Sequence, residues 1–312
     1  MAGHEPSSWS EELAAELGQR ALAAVGLTVT ELTTLKFGTI ANFKVEDPPL
    51  FLKVADPRFR SAESVLERSL QLSAWLEGNG FPVAGAAEEA AARPVAVEGA
   101  WAGIWRWQDH RHARPDPARV GQLLRRLHEL LTRCPVGLPE VDHFEAARRH
   151  AVALGQQGHL EEDAVGFLLG QAERIGSGWD EFESELGVGA IHGDFEVSNV
   201  LSTDRGPVLI DLDNAQIAPR EWDLVKATPG SPGGWTEEEW QGFATGYGYD
   251  VRSAPGGEVL REVRHLRSLV WMLGEPRYAD RVEGGRRLLA EWIAAPQKRC
   301  SELDWAAERG SE

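Results

Sequence analysis

The chain has 312 residues, which is long for one compact core and points to one large domain or two lobes. Its 42% apolar content and 12 Trp can build a sizeable core, and two cysteines, Cys134 and Cys300, exclude a disulfide framework and fit a reducing, cytoplasmic setting. A net charge of -17 repels a phosphate backbone, so nucleic acid is a poor partner; cationic small molecules suit that field, although acidity for solubility alone explains it equally.

The opening residues carry acids early and have no apolar stretch of signal-peptide length, and nowhere is there an apolar run of about 18 residues. No membrane span is therefore expected. Residues 9–25 have helical spacing after a Ser start signal. Strands are expected at 27–35, 41–45 and 50–54, separated by Phe37-Gly38-Thr39 and by Asp47-Pro48-Pro49, as an antiparallel meander. Residues 61–77 repeat apolar positions at three to four and stop at Asn79-Gly80, with Pro82 beyond. Further strands are plausible at 83–87 and 94–98, and Trp101–Trp107 is strongly strand-forming. The first 108 residues thus read as a five-stranded sheet with one inserted helix.

The polar, turn-rich stretch His110–Pro117 reads as a hinge. Helices are expected over 118–131 and 143–174, and again from about 236 onward. Between them, the apolar run 188–191 leads into His192-Gly193-Asp194-Phe195-Glu196-Val197-Ser198-Asn199, and the run 208–210 leads into Asp211-Leu212-Asp213. This pattern places Asp194, Asn199 and Asp211 on one edge of a small hairpin. Asn and Asp oxygens are hard ligands suited to Mg²⁺, and a separate Asp can accept a hydroxyl proton or orient the attacking oxygen. Each acid taken alone could equally be a turn former or strand cap.

The ordered set resembles the catalytic apparatus of the protein-kinase-like superfamily, and is closer to its aminoglycoside and choline phosphotransferases than to eukaryotic protein kinases. His192-Gly193-Asp194 with Asn199 resembles the catalytic loop, Leu209–Asp213 the metal-binding segment, and Pro219–Leu224 the closing Trp-Asp motif. The resemblance spans about residues 27 to 290. It implies an α+β fold of two lobes: a small N-lobe (1–108) with an antiparallel five-stranded sheet and one helix, and a larger, mostly helical C-lobe (109–312).

The resemblance also assigns roles. Asp194 becomes the catalytic base or orienting group, and Asn199 and Asp211 the Mg²⁺ ligands, with Asp213 as a second-ligand candidate. His192 and Asp223 support the loop. Lys53, within Leu50–Val54, steadies the nucleotide phosphates; the competing explanation is an edge-strand lysine. Its ion-pair partner should lie on the following helix, where the family position is Ser69 and Glu67 is the nearest candidate. Gly38 and Thr39 fall in the phosphate-covering loop, which has a single Gly. Trp107 belongs to the hinge that would meet the base. His128 reads as a satisfied structural histidine.

ATP or GTP with Mg²⁺ and a small hydroxyl-bearing acceptor are the implied ligands. Glu196, two residues past Asp194, and more weakly Glu275 and Asp280, favour an amine-bearing acceptor such as an aminoglycoside or another basic antibiotic. Alternatives are a bacterial stress-response-type protein Ser/Thr kinase, a choline or sugar kinase, and a nucleotide-binding pseudokinase. No G-x-x-x-x-G-K-S/T or dinucleotide fingerprint occurs.

Overall fold

The computed structural model describes residues 9–29, 31–231, 233–274 and 279–305. The chain forms two compact units, one of Met1–Ala113, Cys134–Gly137 and Val200–Asn214, the other of Arg114–Arg133, Leu138–Asn199 and Ala215–Glu312.

The first unit begins with α1 (Glu11–Ala24), whose Ser10 side chain caps the Leu13 N–H. Strands β1 (Thr33–Lys36), β2 (Ile40–Val45) and β3 (Leu50–Ala55) form the meander. Then come α2 (Ala62–Gly78), β4 (Val95–Val97) and β5 (Ala100–Arg106). The sheet is antiparallel in the order β1-β2-β3-β5-β4. Strand alternation sorts the side chains onto two faces. Leu50, Leu52 and Val54 pack with Leu17 and Leu22 of α1, whereas Ala55 and Phe51 pack with Leu66 and Leu70 of α2. Lys53 shares the α2 face. It lies on a central strand, paired to Asn42 on one side and Gly103 on the other, so edge protection does not explain it.

Residues 83–87 do not form the strand expected of them. Val83 is their one β-branched residue, and only single bridges form, Val83 to Leu209 and Ala86 to Trp105. The ladder of β1 starts at Thr33, later than expected. A two-stranded hairpin, Val200–Thr203 with Gly206–Leu209, completes the unit. Its last residue exchanges backbone bonds of 3.0 Å with Pro82 and Ala84.

The second unit holds α3 (Pro117–Leu131), α4 (His143–Gln156), α5 (Glu162–Asp180), β6 (Val188–Ile191), β7 (Gln216–Pro219), α6 (Glu221–Lys226), α7 (Glu237–Tyr247), α8 (Gly257–Leu273) and α9 (Ala279–Ala294). The single helical stretch expected over 143–174 is two helices. Strand β6 pairs with β7, while the small hairpin is Val200–Thr203 with Gly206–Leu209, which Asn199 precedes and Asp211 follows in sequence; Asp194 is not part of that hairpin. Helix α8 packs against α4, α5, α6 and α9. Helix α3 buries Val120, Leu124, Leu127 and Leu131, a stripe at three- and four-residue spacing. Each such side chain contributes about 1.5–3 kcal/mol on burial. No helix among the described residues is long and apolar enough to cross a membrane.

Helices α3 and α7 touch backbone to backbone. A Cβ on Gly121 would stand 2.2 Å from the Phe243 carbonyl oxygen and 2.6 Å from the Tyr247 nitrogen. Gly121→Ala is expected to destabilise the protein by about 1–3 kcal/mol through overpacking, read as a lower urea midpoint. An unchanged midpoint would show that the helices can separate freely.

Candidate active site

In the first unit, Lys53 Nζ lies 2.7 Å from Asp211 Oδ1 and 2.6 Å from Asp213 Oδ2. The lysine is buried and its ammonium stands 5.3 Å from the Trp105 ring centre. Burial alone would lower its pKa. The two carboxylates outweigh that and hold its pKa above the usual lysine value. Asp213 keeps 13% of its side chain exposed, and its desolvation together with the neighbouring Asp211 charge raises its carboxyl despite Lys53. Asp211 keeps 39% of its side chain exposed and sits at φ +63°, a left-handed conformation that Asp tolerates better than most residues. Glu67 is not the partner of Lys53: it accepts instead from Gln71 Nε2 at 3.1 Å, and the family position, Ser69, is buried.

In the second unit, the loop after β6 is clamped from behind. Asp223, fully buried on α6, accepts the backbone N–H groups of His192 and Gly193, each at 2.8 Å, and His128 Nε2 at 2.9 Å. With Nε2 donating, His128 Nδ1 accepts from the Tyr247 hydroxyl at 2.8 Å. Trp222 Nε1 donates to the Gly193 carbonyl at 3.3 Å. Gly193 has φ +82°, which needs glycine and turns the chain so that both N–H groups face Asp223. The Asp194 N–H donates to His192 Nδ1 at 3.3 Å, and Asn199 Nδ2 donates to the Asp194 carbonyl at 2.9 Å. The loop is thus rigid, and the Asp194 carboxylate projects from it with 29% of its side chain exposed.

Cations that sequence reasoning missed surround that carboxylate. Lys226, at the end of α6, pairs with Asp194 and, at 3.0 Å, with Glu196 Oε2. Arg264 Nη2 of α8 lies 3.4 Å from Asp194 Oδ1. Burial would raise the Asp194 carboxyl, but Lys226 and Arg264 hold it well below the usual carboxylate range. It is ionised at any physiological pH. The available signals were Lys226 three residues after Asp223 on one helix, and the Arg261-x-x-Arg264-x-x-Arg267 spacing of α8.

Hard oxygen donors are present in both units: the accessible Asp211 carboxylate beside Asp213 in the first, and the Asn199 amide oxygen in the second, its nitrogen already bonded. These donor types fit a Mg²⁺-sized cation that takes few protein ligands. Among the described residues no three His, Cys, Asp or Glu side chains converge as a metal cage.

The remaining expectations lie elsewhere. The Gly38 carbonyl accepts from Trp9 Nε1 at 2.7 Å, and the Thr39 carbonyl accepts the Asp56 N–H at 2.8 Å. The Trp107 N–H donates to Pro49 at 3.0 Å, with Lys44 Nζ 4.9 Å from its ring centre, so this backbone donor is already engaged. Glu275 lies outside the described residues, as does the side chain of Asp280.

His143 stacks on Trp222 with ring centres 3.5 Å apart and planes 6° apart. Burial, then Arg267 and Arg264, push its pKa down to about 2. Burial first, with the charges of Arg264 and Arg261, lowers His265 to about 4 against a bond to the Arg261 carbonyl. Both rings stay neutral in the fold but protonate near pH 6.5 once unfolded, so the unfolded state binds more protons as the pH falls. Stability is therefore present above pH ~6.5 and lost below it, by about 1.4 kcal/mol per pH unit for each ring. Urea unfolding between pH 7.5 and 5.5 should show this slope, and His143→Phe, which keeps the stack, should halve it. A flat wild-type profile would contradict the buried neutral rings.

The fold is the protein-kinase-like α+β fold, and the chain shares it with many solved structures. The gentamicin complex of APH(2'')-IIa matches at TM-score 0.65 and 14% identity over 94% of this chain and 98% of that one. The amicoumacin kinase hAmiN with AMP-PNP, Ca²⁺ and Ami matches at TM-score 0.70 and 14% identity, over 96% and 97%. A choline/ethanolamine kinase family protein from Mesorhizobium loti matches at TM-score 0.58 and 17% identity, over 96% and 99%. No curated protein matches the chain in sequence. The model of the APH phosphotransferase enzyme family matches residues 31–263. The chain belongs to that family.

Proposed function

We propose that this protein transfers the γ-phosphoryl group of ATP or GTP to a hydroxyl of a small molecule. The observation that carries the reading is the Asp194 carboxylate, held ionised by Lys226 and Arg264 on a loop braced by Asp223 and Trp222. The bond between the γ-phosphorus and the bridging oxygen breaks, and a bond from that phosphorus to the acceptor oxygen forms. The acceptor proton passes toward Asp194 and on to solvent. Because Asp194 is a weak base, it acts mainly by accepting the hydroxyl's hydrogen bond and orienting the oxygen for in-line attack. Lys53, kept charged by Asp211 and Asp213, is the cation assigned to the nucleotide phosphates. Asn199 and Asp211, with Asp213 as a second-ligand candidate, are the residues assigned to Mg²⁺, which when bound would neutralise phosphate charge.

Nucleotide neighbours support the donor: AMP-PNP in the amicoumacin kinase and GDP in an aminoglycoside 2'-phosphotransferase. Gentamicin in a neighbouring structure makes amine-bearing molecules one acceptor class to assay. Glu196, the residue that suggested such an acceptor, is paired to Lys226 and so brings no free charge to it.

The test is ADP release with ATP and with GTP across a panel of hydroxylated acceptors, together with autophosphorylation by labelled ATP. Acceptor-dependent ADP release is expected. Strong self-labelling without turnover of any small acceptor would sink the reading in favour of a protein kinase of the bacterial stress-response type.

A further inference from the structure

The charge around Asp194 is unexpected for a protein of net charge -17. Three cations face this corner of the second unit: Lys226 from α6, and Arg264 and Arg267 from α8. The acids facing it are Asp194 and Glu196 from the loop, and Lys226 alone engages both. The neutral His143 ring of α4 closes the other side.

Arg264 and Arg267 lie three residues apart on one helix face. Their guanidinium carbons stand 5.6 and 5.7 Å from the Trp222 ring centre, so both forks are anchored to one indole. Arg267 bonds to His143 Nδ1, and among the described residues no carboxylate lies within ion-pair distance of it. Burial, then Arg264, lower its pKa to about 10, whereas the Asp194 charge opposes that. A half-buried guanidinium without an anion, beside a second one, incurs a desolvation and repulsion cost that an arriving oxyanion would relieve. Neutralising Asp194 does not account for it, because Lys226 and Arg264 already do so.

We infer that Arg264 and Arg267 form an oxyanion-binding pair beside Asp194, and that the acceptor hydroxyl belongs to a molecule carrying a carboxylate or a comparable anionic group. This rests on the proposed phosphotransfer and names its acceptor class. A planar carboxylate matches the guanidinium forks, and held there it sets the acceptor close to the orienting Asp194.

The transferring phosphoryl group is itself an oxyanion, so the test must separate two sources. Wild type, Arg267→Gln and Arg267→Lys are assayed with ATP on three acceptor sets: hydroxy acids and sugar acids, neutral polyols, and amino sugars including aminoglycosides. The carboxylate set is expected to give the highest kcat/KM. Arg267→Gln should raise the acceptor KM by about tenfold or more, and well beyond any change in the KM for ATP, with partial recovery in Arg267→Lys. A preference for amino sugars, no turnover of the carboxylate set, or an Arg267→Gln effect confined to the KM for ATP each overturns the acceptor assignment. The phosphotransfer reading itself fails only if none of the three acceptor sets is phosphorylated, so the two failures are distinguishable.

Discussion

Replacing Asp194 by Asn is expected to lower kcat by about 10²–10⁴-fold with little change in the KM for ATP. Asn keeps the shape of Asp but has one acceptor oxygen and no charge. It can neither take the acceptor's proton nor hold the hydroxyl through a charge-assisted bond, and its amide protons oppose Lys226. The loop itself should survive. Lys226 keeps Glu196 at 3.0 Å, and the clamp on His192 and Gly193 comes from Asp223, which the substitution does not touch. Loss of rate should therefore come without loss of fold. Steady-state kinetics with the urea midpoint as control checks this. A kcat within about tenfold of wild type would remove Asp194 from the reaction.

Much of the architecture follows from periodicity. The apolar run Leu50–Val54 foretells a strand that carries Lys53, and the apolar spacing of 118–131 foretells the buried stripe of α3. Pairing partners are less legible. Strand β6 joins β7, 25 residues further on at its nearest pair, because Ile191 meets Gln216 across the intervening hairpin, and no local pattern encodes that. The run at 83–87 shows the converse. Its position suggested a strand, but Gly85 and three alanines offer little for a pleated surface, and the chain there makes single bridges only.

The site divides in the same way. Motif order singles out the loop, the acids and Lys53 as candidates, because those residues lie close in sequence or in a recognisable register. It does not identify their electrostatic partners. Helical proximity favours Glu67, yet the charges on Lys53 come from Asp211 and Asp213, more than 150 residues away. Glu196 suggested an attraction for cations until Lys226 stood against it. A charge read without its partner does not fix the sign of a site, and only tertiary contact supplies the partner.

Asp223 is where fold and site meet, and Asp223→Ala is expected to cost about 3–5 kcal/mol of stability together with most of the activity. Its carboxylate is fully buried and takes three donors: the N–H groups of His192 and Gly193, and His128 Nε2. Removal leaves all three without an acceptor in a dry interior, and it breaks the line from Tyr247 through His128 to the loop. Asp223→Asn sorts the contributions. Its single oxygen can still serve the side shared by His192 and His128, while its amide faces the Gly193 N–H, donor against donor. Stability should then fall by about 1–3 kcal/mol, and kcat more than the KM for ATP, since the residue touches no ligand and acts by fixing the backbone that carries Asp194. Urea unfolding and steady-state kinetics on both variants, read beside Asp194→Asn, make the comparison. Asp194→Asn should be inactive and stable, Asp223→Ala inactive and unstable, and Asp223→Asn between them. An Asp223→Ala protein with a wild-type midpoint would mean that the loop is held by Trp222 and its own turn, and that the buried carboxylate is not its brace.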